Sequence, residues 1–283
     1  MTSIAAAGRQ SRFFVDAAGV SLHFLMHGTS GPNILLLPGI TSPAISWAFA
    51  SERLAERARV YTLDNRGRGL SDRGPSLTYD LDDYAADVDH LVRALGIGPV
   101  ILVGHSMGAR IAIRTAARFP GVATHVVLAD PPISGPGRRP YPIPLKFYLA
   151  NLAAARRGEM LPSPPGWTDA QCRVRAEWLP SCSDEAVVGS YRSMHEEDIH
   201  ADMPSIKVPV DLIYAEQGGT ITREDADEIV ALIPNARSRL ISGVGHMMPW
   251  DNLEAFVSAV FSVLGLDISG EPAHKKGERD GSN

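Results

Sequence analysis

The stretch that most narrows the fold is "VILVGHSMGARIAIRTAARF", residues 100–119. Four apolar residues without alternation read as a strand covered on both faces. The apolar spacing after Gly108 reads as a helix. A strand that passes directly into a helix through two glycines is the building unit of a parallel α/β sheet. The neighbouring segments repeat the pattern. "NILLLPG", "RVYTLD" and "ATHVVLAD" are short apolar runs, while "ISWAFASERLAERA" and "DLDDYAADVDHLVRALG" carry helical spacing, the second with a glycine stop. "RFFVDAAGVSLHFLMHG" reads as two strands joined by a glycine turn.

The alternation breaks between about Pro131 and Met203, where the chain becomes proline-rich ("PPISGPGRRPYPIP", "LPSPPGW") with helical stretches such as "AQCRVRAEWL". It resumes with "VPVDLIYAE", "REDADEIVALI", "SRLISGVG" and "NLEAFVSAVFSVLG". An interruption of roughly 70 residues is too long for a plain loop. The expected organisation is a core formed by 1–132 and 205–265, a helical lid inserted at 133–204, and a polar, disordered tail at 266–283.

The chain has 283 residues, 45% of them hydrophobic, enough for one substantial core. A net charge of -5 with no basic face argues against nucleic acid. No run of about 18 apolar residues exists, which argues against a membrane span. "MTSIAAAGRQSR" lacks the apolar centre of a signal peptide, so a cytoplasmic location is expected. Cys172 and Cys182 show neither zinc spacing nor a disulfide framework and read as two reduced thiols.

Gly104-His105-Ser106-Met107-Gly108 fits the G-x-S-x-G elbow, which lifts a serine hydroxyl out of the sheet at its carboxyl edge. A hydroxyl is a weak nucleophile unless a base stands beside it. His246, in "ISGVGHMMPWD" after the last strand, is the candidate base. His105 is expected to pack under the sheet, and His195 and His200 belong to the insertion. The third member should hold the imidazole in one tautomer. Asp130, ending "VVLAD", is the first candidate because Gly218 stands where an aspartate could follow the next strand; Glu216 is the runner-up. The order Ser, Asp, His is the hydrolase order. The Met107 amide, at a helix N-terminus, and the Ile40 amide, after Pro38-Gly39, are the expected oxyanion donors. Dehalogenase or epoxide-hydrolase chemistry would call for an aspartate at position 106.

These residues resemble the α/β-hydrolase superfamily over nearly the whole chain, which implies a mostly parallel central sheet flanked by helices, with an inserted helical lid. "PGITSPAISW", "LDNRGRGLS", "GHSMGARIAIR", "DPPISGPGRRPYP", "RAEWL", "HEEDIH" and "GHMMPWD" more closely resemble the N-formylmaleamate deformylases of aerobic nicotinate degradation. That resemblance implies hydrolysis of an N-formyl group to formate and maleamate by Ser106, Asp130 and His246 through a formyl-enzyme, without cofactor or metal. A substrate carboxylate suits an arginine fork. Arg138 and Arg139 on the loop entering the insertion, and Arg175 and Trp178 on a lid helix, are the candidates. Asp64 and Arg66 read as a structural turn. "HEEDIH" looks metal-like, but its spacing does not put both histidines on one helical face. The expected partner is therefore a small anionic amide. A C–C bond hydrolase or enol-lactonase acting on another small dicarboxylate shares the same elbow and triad, and a non-turnover ligand receptor shares the fold.

Overall fold

The computed structural model describes residues 13–266, apart from 160, 163 and 165. The expectations for the N-terminal stretch 1–12 and for the tail 267–283 lie outside the described residues. Eight strands form one sheet: β1 Phe13–Ala17, β2 Val20–His27, β3 Asn33–Leu37, β4 Arg59–Leu63, β5 Val100–His105, β6 Ala123–Ala129, β7 Val210–Ala215 and β8 Ala236–Ile241. Their order is β1-β2-β4-β3-β5-β6-β7-β8. β2 pairs antiparallel with β1 and β4, and every later pairing is parallel.

The helices are α1 Ala48–Leu54, α2 Leu81–Leu95, α3 Met107–Arg118, α4 Leu145–Arg156, α5 Asp169–Trp178, α6 Asp184–Glu196, α7 Arg223–Leu232, α8 Met248–Asp251 and α9 Leu253–Leu264. The unbroken apolar runs have a direct explanation. Along β3, Ile34 and Leu36 join the cluster of Trp47 and Phe256 on the α1/α9 face, while Leu35 and Leu37 join that of Val88 and Ile111 on the α2/α3 face. A strand covered on both faces has no polar side to show. Each such side chain contributes about 1.5–3 kcal/mol by leaving water. α2 begins where Asp80 accepts a hydrogen bond from the Asp83 amide and ends at Gly96 in the left-handed region, φ 61°.

Three helices, α4, α5 and α6, lie in the chain between β6 and β7. α5 opens with a capping box between Thr168 and Gln171. Sequence spacing singled out α5 but neither α4 nor α6. α4 follows a proline run, and α6 is set by Ser183, whose side chain accepts from the Ala186 amide. Leu152, Val187 and Met194 belong to the same apolar cluster as α2 and α3, so the insertion is packed into the core. Among the described residues no helix is long and apolar enough to cross a membrane.

Candidate active site

β5 ends at His105 and α3 starts at Met107, leaving Ser106 alone between strand and helix. Its backbone is at φ 55°, ψ -120°, a conformation that costs energy for a residue with a side chain. The flanking glycines are required by close approach. A Cβ on Gly104 would lie 2.3 Å from the Gly108 oxygen, and one on Gly108 would lie 1.9 Å from the Leu37 oxygen. The Ser106 amide donates to the Ala129 oxygen at 2.9 Å, tying the turn to the end of β6.

Ser106 Oγ lies 3.0 Å from His246 Nε2, and His246 Nδ1 lies 2.6 Å from Asp130 Oδ2. Nδ1 carries the proton when it faces a carboxylate, which leaves Nε2 to accept from the serine. Thr220 Oγ1 stands 3.0 Å from the same Nδ1. Asp130 follows directly on β6, is fully buried, and has a positive φ of 47°. Its amide donates to the Ile213 oxygen at 2.9 Å, and its Oδ1 accepts from the Ala215 amide at 3.2 Å. Glu216, the other acid considered, is exposed and accepts from the Gly243 amide at 2.9 Å. Of the two, Asp130 is the carboxylate that faces His246.

Gly39 is packed against the elbow, its Cβ position 3.3 Å from Ser106 Cβ, which puts Ile40 beside Ser106. Among the described residues, neither the Ile40 nor the Met107 amide donates to a protein acceptor. Arg68 lies behind both and is fully buried. Its guanidinium donates to the Ile40 oxygen at 3.0 Å, the Arg66 oxygen at 2.9 Å, the Tyr84 hydroxyl, and, on α6, Ser190 Oγ at 2.9 Å and the Ala186 oxygen at 3.2 Å. Asp64 accepts from His23 Nδ1 at 2.7 Å and from the Ala44 and Leu70 amides, and Arg66 forms a two-bond pair with Asp87. These two residues hold the turn after β4.

His105 is buried, as expected, and does not face the Ser106 hydroxyl. Its ring lies between Trp47 and His246, with centroids 5.1 and 4.9 Å away, and its Nε2–H donates to the His246 carbonyl at 2.7 Å. Burial, reinforced by the neighbouring His246, pushes its pKa down to about 3, so it stays neutral.

A cavity of about 320 Å³ opens over Ser106. Arg175 lines it, with Thr41 Oγ1 at 3.5 Å and no carboxylate in ion-pair range among the described residues. Desolvation holds its guanidinium below the ordinary arginine value. The other three expected substrate contacts do not line the cavity. Arg138 makes two bonds to Glu228 on α7, at 2.7 and 2.9 Å, and Arg139 pairs with Asp225 and the Thr220 oxygen. Carboxylates on α7 have already neutralised both. Trp178 sits at the far end of α5, and the tryptophan in the wall is Trp167, stacked on Trp250 at 4.5 Å. Sequence reasoning missed Trp167, Tyr141 and Tyr148, because proline-rich segments carry no periodicity that says which side chains turn inward. A larger groove of about 780 Å³ between the start of α2 and α6 is lined by carboxylates such as Asp80, Glu185 and Glu196, and lies away from Ser106.

A doubly covered sheet with a strand–serine–helix elbow, a histidine and a buried aspartate at its carboxyl edge defines a class. The chain belongs to the alpha/beta hydrolase family, whose model matches residues 34–259. Within it, the chain is 43% identical over 249 residues to an N-formylmaleamate deformylase of Pseudomonas putida, covering 87% of this chain and 93% of that protein. A solved N-formylmaleamic acid deformylase, also from Pseudomonas putida, superposes with a TM-score of 0.85 at 42% identity, covering 88% of this chain and all of that one. The solved E-2-(acetamidomethylene)succinate hydrolase follows at 26% identity and a TM-score of 0.73, covering 90% and 99%.

Proposed function

We propose that this hydrolase removes the N-formyl group of N-formylmaleamate, giving maleamate and formate, with Ser106 as nucleophile, His246 as base and Asp130 as the acid that orients it. Ser106 Oγ attacks the formyl carbon as His246 Nε2 takes its proton. The Ile40 and Met107 amides receive the oxyanion, an effect worth roughly 3 kcal/mol per donor in serine hydrolases. The C–N bond breaks, His246 protonates the departing nitrogen, and water releases formate from the formyl-serine. The insertion acts as the lid over this site, and Arg175 binds the substrate carboxylate.

The observation that carries the reading is Arg175: a desolvated cation in the wall of the Ser106 cavity, with no carboxylate in ion-pair range among the described residues. An anionic substrate supplies that balance. The long identity with the Pseudomonas putida deformylase, which spans the insertion, supports the choice of substrate. Incubating the purified protein with N-formylmaleamate and assaying formate and maleamate tests it. Stoichiometric appearance of both is expected, and absence of formate release by folded protein rejects the reading.

A further inference from the structure

Tyr141 brings the insertion to the reaction centre. Its side chain lines the same cavity as Ser106, its ring stands edge-on to that of His246 with centroids 6.5 Å apart, and it is 5% exposed. Two further contacts hold it. The Tyr148 hydroxyl donates to the Tyr141 oxygen at 3.1 Å, and the Tyr141 amide donates to His195 Nε2 at 3.3 Å. His195 Nδ1 donates to the Tyr191 oxygen at 2.8 Å, which fixes the tautomer with Nε2 as acceptor. Because the Tyr141 oxygen accepts from Tyr148, its own proton is free for another acceptor, and the residue lines the Ser106 cavity where a substrate can supply one. Burial raises the Tyr141 pKa, so that proton stays in place.

The side on which Tyr141 stands matters. The Ile40 and Met107 amides occupy the oxyanion side of Ser106. His246 occupies the side from which the departing nitrogen receives its proton, and Tyr141 borders His246. In a formyl imide that nitrogen carries a second acyl group. As the C–N bond breaks, its electron pair passes to nitrogen and spreads onto the second carbonyl oxygen. A donor fixed at that oxygen stabilises charge that develops only in the transition state. The proton that His246 took from Ser106 then completes the neutral amide.

We propose that Tyr141, held by Tyr148 and His195, donates a hydrogen bond to the second carbonyl oxygen of the departing amide and so gives the enzyme its preference for acylated amides over simple formamides. This rests on the deformylase reading above. The test compares wild type, Tyr141→Phe and Tyr148→Phe on N-formylmaleamate, on N-formylacetamide, which keeps the second carbonyl without the carboxylate, and on 4-nitrophenyl formate, which lacks that carbonyl, with thermal melts to check folding. Tyr141→Phe should lower kcat on N-formylmaleamate and on N-formylacetamide at least about tenfold and change 4-nitrophenyl formate less than about twofold. Tyr148→Phe, which leaves Tyr141 in place, should lower kcat on the two acylated formamides by less and likewise spare the ester. Equal losses on every substrate, or no loss, overturn the assignment. If wild type does not turn over N-formylmaleamate, the deformylase reading falls separately, and the contrast between N-formylacetamide and 4-nitrophenyl formate still decides the role of Tyr141.

Discussion

Gly218 and the Asp130 carboxylate compete for one space: a Cβ on residue 218 would lie 2.9 Å from Asp130 Oδ2. The ends of β6 and β7 therefore offer alternative platforms for one acid, and this chain uses the first and keeps the second bare. Asp130→Ala should cut kcat about 10⁴-fold, as loss of the orienting acid does in serine proteases. Gly218→Ala alone should cost about tenfold by pushing the carboxylate aside. In the Asp130→Ala background, Gly218→Asp should recover part of the activity. Steady-state kinetics on the four proteins decides this, and a double variant no better than Asp130→Ala counts against the shared space.

Ser106→Ala should abolish turnover and leave the melting temperature close to wild type, because the turn depends on backbone geometry and not on the hydroxyl. Gly108→Ala should do the opposite kind of damage. Its Cβ would press on the Leu37 oxygen, a backbone atom that cannot swing away, and the fold should lose about 3 kcal/mol. Denaturant unfolding separates the two effects.

Arg175→Ala should lower kcat/KM for the anionic substrate by at least about tenfold and spare a neutral formate ester, since one charge-assisted bond is worth about 1.5–3 kcal/mol. Arg138→Ala and Arg139→Ala, whose partners lie on α7, should not discriminate between the two substrates. A charge-independent loss in Arg175→Ala would move the anion site elsewhere.

His105 gives the protein an acid limit. Its folded pKa is depressed from about 6.5 to about 3, so as pH falls below 6.5 the unfolded chain takes up a proton that the folded one refuses. Stability is full above the unfolded pKa and declines as pH drops toward 3. Between pH 7 and pH 5 this one group should remove about 2 kcal/mol. His105→Gln keeps a donor for the His246 carbonyl but does not titrate, so its urea midpoint should fall correspondingly less over the same range.

Where the chain is periodic, its structure could be read from sequence. The run Ile34–Leu37 announces a doubly covered strand because nothing polar interrupts it, and the Gly104–Gly108 spacing announces the elbow because no other residue fits either end. The bare Gly218 already favours Asp130 over Glu216, but the distance to His246 that separates them lies between strand ends and is encoded by no local pattern. The arginines were harder. An Arg-Arg pair beside a substrate loop and one already balanced by α7 look alike in one dimension. Charge pairing at long separation, as between Arg138 and Glu228, exists only after folding. Tyr141 was hidden for the same reason, lying in a proline-rich segment whose inward side is set by partners on α4 and α6.

Arg68 has a consequence for how such enzymes can be rebuilt. One guanidinium serves the loop after β3 at Ile40 and the α6 positions Ala186 and Ser190. Replacing the insertion with that of another hydrolase would leave buried donors vacant, a fault that costs about 1–3 kcal/mol for each group left unpaired. Insertion and core are thus not interchangeable modules but a matched set, and a graft that alters substrate range must carry its own answer to residue 68.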